Sequence, residues 1–345
     1  MKIIYVGPLN KGGTCLQRMM AMQDLSYAVT SLDTEPPNVK KKQSQLFYRA
    51  RRKFFGPSDL AHINEKILKL LKEDNYYLLW IDKGLTVQAE VLKQVKQISP
   101  ETIIAGYSPD DMLNPTNQSR QFLNGLPYYD IYITTKSYNV SELKNLGCKE
   151  VLFIENAYDP KTHRPLTISK EDKIKFGGQV GFIGGWERER EKSILFLSDK
   201  GIPVRVWGEG WPRKLNSKTN LKIENKPLFG DNYAKAICSF DINLCFLRKI
   251  NRDLQTTRSI EIPACGGFML AERTNEHLSL FKEGLEAEFF SSNDELLSKV
   301  KHYLLHDNER KSIALRGYER CMNNGYSNHA RMSKNFDCIR SAFNM

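Results

Sequence analysis

Short apolar runs alternate with segments of helical period along nearly the whole chain. In the first half "KIIYVG" (2–7), "YYLLWID" (76–82), "TIIAGY" (102–107), "DIYITT" (130–135) and "EVLFIEN" (150–156) read as strands. Between the first two, "SDLAHINEKILKLLKED" (58–74) sets Leu60, Ile63, Ile67, Leu70 and Leu71 on one helical face, with Ser58 as N-cap. The rhythm breaks after Asn156. Residues 157–178 are polar, carry two prolines and show no period, as a link between domains does. It then restarts with "QVGFIGG" (179–185), "IPVRVWG" (202–208), "DINLCF" (241–246), "GFMLA" (267–271) and "AEFF" (287–290), separated by helical stretches such as "DELLSKVKHYLLHD" (294–307). From Asn308 onward there is no strand signal, so the end is predicted helical.

This alternation predicts an α/β protein of two Rossmann-like domains, each with its own parallel sheet. The expected division is an N-terminal domain over 1–160, a linker over 161–178, a C-terminal domain over 179–325, and a last helix within 326–345 crossing back to the first domain. A length of 345 residues with 41% hydrophobic content supports two cores, since one core rarely grows past roughly 250–300 residues. No run approaches the ~18 apolar residues of a membrane span, and Met1 to Val6 lead straight into a strand, so a cytosolic location is expected. Seven scattered cysteines without a C-x-x-C pair argue against a disulfide framework or a zinc knuckle.

Fifty-one Lys and Arg against 40 Asp and Glu leave a formal charge of +11, which favours anionic partners. Part of it lies in "KKKQSQLFYRARRKFF" (40–55), where Lys40, Lys41, Lys42, Arg49, Arg51, Arg52 and Lys53 interleave with Leu46, Phe47, Tyr48, Phe54 and Phe55. That segment reads either as a solvated basic loop or as an interfacial helix resting on an anionic membrane.

Open α/β sheets bind ligands beyond the carboxyl ends of their strands, so the chemistry is sought there. After the first strand, Gly12 and Gly13 permit close backbone approach at a helix N-terminus, a candidate acceptor-side contact. After "TIIAGY" stand Asp110 and Asp111, adjacent carboxylates that can act as a general base or ligate a divalent metal; with no further acidic or His partners nearby in sequence, a base or an acceptor contact is favoured over a metal, and either can equally cap a helix. In the second half, Gly184 and Gly185 followed by Arg188 and Arg190 form a candidate diphosphate seat, because a guanidinium forks onto phosphate oxygens. Trp207 and Gly208, with Trp211, follow the next strand, where an indole can flank a base or simply join the core. Arg248, Lys249 and Arg252 then precede a helix expected to start near Gln255 or Thr256 and to stop at Gly266-Gly267. On it Arg258 and Glu261 share a face directed toward the ligand; an ordinary ion pair is the bland alternative.

From about Phe240 to Met332 the chain resembles the C-terminal domain of the CgeB-like (spore-maturation-protein type) glycosyltransferases, a GT-B branch related to the retaining family 4. The resemblance rests on "RSIEIPACGGFMLAE" (258–272), "LSLFKEGLEAEFFSSNDELLSKVKHYLLHDNERKSIALRGYERC" (278–321) and "YSNHARM" (326–332). "VGFIGG", "WGEGWP", "YSPDDM" and "YDIYITTKSYNVSELKNLGCKEVLFIENAYDP" follow the same family's order. It implies a GT-B fold of two Rossmann-like domains facing each other across a cleft, with a nucleoside-diphosphate sugar such as a UDP-sugar held mainly by the C-terminal domain. It also implies a glycan, lipid-linked or protein acceptor on the N-terminal side, no bound metal or cofactor, and retention at the transferred sugar. Glu261 falls at the ribose-binding glutamate. Asp253, eight positions earlier, falls at a sugar-binding acidic position where relatives often carry a longer side chain, which leaves that role open.

Two other readings compete. A sugar-nucleotide epimerase on the same fold needs acid and base groups at the donor sugar, and the six scattered histidines reveal none. A non-catalytic nucleic-acid or nucleotide-binding module would use the net charge, but the arginines fall after strands rather than along one element, so no nucleic-acid partner is expected.

Overall fold

A computed structural model describes residues 1–343, apart from the side chains of Arg49, Lys53, Phe54 and Asn216. It divides into two compact units, Met1–Glu155 joined by the segment from Asn328 to the C-terminus, and Asn156–Ser327. The first holds a six-stranded sheet of β1 (Lys2–Gly7), β2 (Ala28–Asp33), β3 (Leu78–Asp82), β4 (Ile103–Ser108), β5 (Ile131–Thr134) and β6 (Val151–Phe153), in the order β2-β1-β3-β4-β5-β6. The second holds β7 (Gly178–Ile183), β8 (Val204–Trp207), β9 (Leu221–Ile223), β10 (Phe240–Cys245), β11 (Met269–Glu272) and β12 (Glu288–Phe290), in the order β12-β11-β10-β7-β8-β9. Every pairing within both sheets is parallel.

Ten of these strands coincide with the apolar runs of the sequence. The two without such a run, β2 and β9, are both sheet edges. β2 reads AVTSLD and is partly exposed along its length, while β9 has only three residues with Lys222 facing out. Strands covered on both faces are continuously apolar, whereas an edge strand is not required to be.

Alternation along each strand sends side chains to two cores per sheet. Ile4 and Val6 join one cluster with Leu79, Ile81 and Ile104, while Ile3 and Tyr5 join another with Trp80 and Ile133. The C-terminal helix Asn328–Ala342 adds Met332, Phe336 and Ile339 to that second cluster and so belongs to the first unit. In the second unit, Val180, Phe182, Ile242 and Leu244 face one cluster, and Cys245, Met269 and Ala271 another with the helix Arg258–Ala264.

Three local expectations are corrected. The helix expected from Ser58 runs over Ile63–Glu73, because the Asp59 carboxylate accepts from the Ile63 and Asn64 N–H groups at 2.9 and 2.8 Å. The helix expected from Gln255 or Thr256 begins at Arg258 and gives way at Gly266, whose φ of 73° suits glycine. Residues 161–178 lie within the second unit and hold a helix, Lys170–Phe176, capped by the Ser169 hydroxyl on Asp172 N–H. No described helix is long and apolar enough to cross a membrane.

Candidate functional site

Strand order locates the place to look in the second unit. β7 is first in sequence and lies beside β10, with the chain running outward from β7 to β9 and from β10 to β12, so the order reverses between them. Past β7, the Gly184 carbonyl accepts from Trp211 Nε1 at 3.0 Å. Gly208 has φ 136°, and a Cβ there would stand 2.1 Å from the Gly184 oxygen, so only glycine lets the two backbones pass.

Trp207 is a core residue rather than a base-flanking one. Its Nε1 donates to the Phe176 carbonyl at 3.1 Å, and its ring packs with Phe176, Ala236 and Phe240. Trp211 is likewise buried, against Phe182. A strand end beside a sheet face leaves an indole more apolar surface to cover than to offer.

Three arginines meet beside Gly185. Arg190, only 4% exposed, donates through Nη1 to the Gly185 carbonyl at 3.0 Å, and its guanidinium lies 5.5 Å from the Phe182 ring. Arg258 stands over the same ring at 5.7 Å. Arg248 bonds Glu187 at 2.8 Å, and Arg190 Nη1 lies 3.7 Å from the same carboxylate oxygen. Two of the three cations, Arg248 and Arg190, thus share one carboxylate, and Arg258 pairs with none of the described ones. Among the described residues, Arg190 Nε and Nη2 and Arg258 Nε are buried without a hydrogen-bond partner. Burial first, then Arg258, pull Arg190 down to about 10 against the opposing pull of Glu187. It is still charged at neutral pH, and an anion is what the cluster lacks.

Glu261, 7% exposed, does not pair with Arg258. Its Oε2 accepts from Tyr233 OH at 2.6 Å, and its Oε1 lies 3.7 Å from His163 Nε2. Arg252 is an exposed residue in left-handed backbone, φ 49°. Asp253 is buried, accepts from Arg248 N–H at 3.4 Å, and lines a cavity of about 480 Å³ past β10, β11 and β12. That cavity is the larger hollow, but its charged rim is internally matched: Lys249 with Glu272, Lys192 with Glu189, and Arg273 with Glu283 and Glu295. The uncompensated charge lies at Arg190 and Arg258.

In the first unit the order reverses between β1 and β3. A small cavity of about 70 Å³ lies there, lined by Pro8, Thr34, Arg52, Asp82, Lys83 and Thr86 among others. Lys83, in left-handed backbone at φ 68°, bonds Asp110 at 2.8 Å. Asp111 is a loop-stitching residue rather than an accessible base: it is buried, and its Oδ1 accepts from Asn139 Nδ2 and Leu113 N–H at 3.0 Å each. Gly12 and Gly13 form the turn into the helix Thr14–Asp24, with Gly13 N–H donating to Asn10 O at 2.8 Å.

Sequence reasoning missed Glu187, Tyr233 and His163. Glu187 was legible as one of the alternating charges of "WERERE", but Tyr233 and His163 lie 28 and 98 residues from Glu261 and carry no local signal.

A profile of the family described as glycosyl transferase-like matches residues 188–337. No curated relative matches the sequence. Among solved structures, HepE from Anabaena in complex with UDP and glucose is similar at TM-score 0.65 and 13% identity, covering 98% of this chain and 100% of that one. Sucrose-phosphate synthase from Thermosynechococcus elongatus is similar at TM-score 0.69 and 11% identity, over 99% and 100%. A glycosyltransferase from Rickettsia africae is similar at TM-score 0.63 and 11% identity, over 99% and 98%. Residues 188–337 thus match a glycosyl transferase-like family model, in a chain whose two parallel six-stranded sheets have the GT-B fold.

Proposed function

We propose that this glycosyl transferase-like enzyme moves a sugar from a nucleoside-diphosphate sugar to an acceptor hydroxyl, with the diphosphate held by Arg190, Arg258 and Arg248. The observation that carries the reading is the arginine cluster at the β7/β10 reversal, with buried N–H groups that await an acceptor. As the glycosidic bond breaks, negative charge grows on the leaving diphosphate, and preset guanidinium groups stabilise it without reorganising. Because they already supply positive charge, no divalent cation is needed for that step. Glu261 takes the ribose hydroxyls, and Asp253 is the acidic group for the sugar. A uridine donor is supported by the UDP and UDP-glucose bound to HepE, and retention by the resemblance to CgeB-like and family 4 transferases.

The acceptor, a glycan or lipid-linked glycan, is assigned to the first unit near Lys83 and Asp110. The segment 37–55 forms two helices, Pro37–Gln43 and Leu46–Phe55. Leu46, Phe47 and Phe55 are 82%, 83% and 73% exposed beside the exposed cations Lys40, Lys41, Lys42, Arg51 and Arg52. Arg49, Lys53 and Phe54 lie outside the described side chains. Apolar tips among cations suit an anionic membrane surface, each cation contributing on the order of 1 kcal/mol there. Co-sedimentation with anionic vesicles at low salt tests this. Wild-type protein should be pulled down and a variant neutralised at Lys40, Lys41, Lys42, Arg51 and Arg52 should not; equal recovery of both refutes membrane contact.

The donor reading is tested by titrating UDP, GDP and dTDP calorimetrically, then incubating the matching sugar nucleotides with candidate acceptors and reading the product by NMR. One nucleotide should bind the wild type and fail to bind Arg190→Ala, and the product should carry the donor's anomeric configuration. An epimerised sugar nucleotide with no transfer would instead make this an epimerase.

A further inference from the structure

Glu261 is held more elaborately than a surface-bound ligand contact requires. It sits on a seven-residue helix interrupted by Pro263, so its own element does little to fix it. The fixing comes from elsewhere. Tyr233, on the helix Asp231–Ser239 that leads into β10, donates its hydroxyl to Oε2 at 2.6 Å. Burial, and then the neighbouring Glu261, push the Tyr233 phenol well above its ordinary range, so it remains a donor at any working pH.

On the other side stands His163. The Asp159 N–H donates to its Nδ1 at 3.0 Å, which leaves Nδ1 the acceptor and puts the proton of the neutral ring on Nε2. That Nε2 faces Glu261 Oε1 at 3.7 Å, and the ring meets Tyr233 edge to face at 5.4 Å. The Asp159 carboxylate in turn accepts from Thr162 Oγ1 at 2.6 Å, closing the turn that carries His163. A carboxylate has about four lone-pair sites. Tyr233 uses one, and the 3.7 Å separation is too long for a hydrogen bond, so Oε1 keeps capacity for a ligand hydroxyl.

We infer that Tyr233 and His163 are positioning residues that aim the Glu261 carboxylate at the nucleotide ribose, and that the site's preference for an intact ribose depends on them. The inference rests on the donor reading above. Its consequence is that Tyr233 and His163 act on recognition of ribose hydroxyls and not on the diphosphate.

The test measures calorimetric affinities of UDP, 2′-deoxy-UDP and 3′-deoxy-UDP for wild type, Glu261→Gln, Tyr233→Phe, His163→Ala and His163→Gln, with melting temperatures for each. Wild type is expected to favour UDP over at least one deoxy analogue by about 10-fold, roughly 1.4 kcal/mol. Tyr233→Phe and His163→Ala should lose most of that ratio by weakening UDP while barely changing the deoxy analogue. His163→Gln, which keeps a polar side chain of similar reach beside Tyr233 and Glu261, should retain it better than His163→Ala. If Glu261→Gln loses the ratio while Tyr233→Phe and His163→Ala keep it, the inference fails and the donor reading stands. If both substitutions weaken all three nucleotides alike, with a lowered melting temperature, they only pack the site and the inference also fails. If wild type binds no UDP, or shows no preference that Glu261→Gln alters, the ribose assignment falls and takes this inference with it.

Discussion

Two buried arginines occupy corresponding places in the two units: Arg18 in the helix Thr14–Asp24 that follows β1, and Arg190 in the helix Arg188–Asp199 that follows β7. Each enters after a glycine-containing turn, and each is nearly inaccessible. Their surroundings are opposite. Arg18 donates Nε and Nη2 to Asp82 Oδ2 at 2.9 and 2.7 Å, Tyr5 OH joins the same oxygen at 2.8 Å, and the guanidinium lies 4.4 Å from the Tyr107 ring. Burial, the largest single influence, lowers Arg18, yet Asp82 together with Tyr107, Cys15 and Tyr5 outweighs it and leaves it well above the usual arginine range. Arg190 is instead crowded by Arg258 and Arg248, shares Glu187, and is drawn down to about 10 by burial and Arg258. A paired buried cation belongs to the fold, whereas a crowded one with idle N–H groups marks where an anion belongs.

The comparison can be broken by deletion. Arg18→Ala leaves Asp82 buried without its cation and should lower unfolding free energy by about 3–5 kcal/mol. Urea melts read this directly, and a loss below about 1 kcal/mol, the scale of a surface pair, would show that Arg18 is not the structural member of the two.

Arg190→Ala should do the reverse. It should cut turnover of the nucleotide sugar by on the order of 10²-fold, as removal of a preset charge-stabilising donor does. The melting temperature should hold or rise, because a like-charge contact with Arg258 is removed. Nucleotide should raise the melting temperature of the wild type but not of the variant. A destabilised variant with unchanged nucleotide affinity would place Arg190 beside Arg18 as a structural residue.

His277 sharpens the contrast because, unlike an arginine, it can surrender its charge. Fully buried, it bonds the Glu272 carbonyl through Nδ1 at 2.6 Å and the Ser259 hydroxyl through Nε2 at 2.7 Å, an arrangement that suits the neutral ring. Burial lowers it from 6.5 to about 4. The unfolded chain therefore takes up the proton first. Stability is fully present above pH ~6.5 and declines as pH falls toward ~4, by at most on the order of 3 kcal/mol. Melts of wild type and His277→Gln at pH 7 and pH 4.5 check it; if both lose the same stability over that interval, His277 is not the titrating group.

The smallest expected effect is none. If the proposed arginine site holds the diphosphate, its guanidinium groups supply the positive charge there and EDTA should leave turnover unchanged. Loss of activity restored by magnesium or manganese would mean that the cluster does not suffice alone.

Much of this molecule was legible from alternation alone. Interior strands announce themselves as unbroken apolar runs such as "YYLLWID" and "DINLCF", and ten strands, the edges β6 and β12 among them, carried such a run. The other two edges, β2 and β9, did not, since an edge strand is not required to be apolar throughout: β2 reads AVTSLD and is partly exposed, and β9 has only three residues with Lys222 facing out. The residue types of the candidate site were legible too: glycines and arginines after β7 and β10, and Glu261 on a short helix before a Gly-Gly stop. Their assignments were not. Asp110 and Asp111 are adjacent in sequence, yet one meets Lys83 while the other stitches a loop to Asn139.

What the sequence by itself determined is therefore the periodicity, the parallel α/β class, and the presence of cations and glycines at strand ends, because these depend on neighbours within a few residues. Only the tertiary structure decided which buried arginine is answered. Asp82 reaches Arg18 from 64 residues away, while Arg258 and Arg248 reach Arg190 from across the β7/β10 junction. Whether a buried charge is quenched or held ready depends on the sign of what packs against it, and that is set by strand order rather than by local pattern.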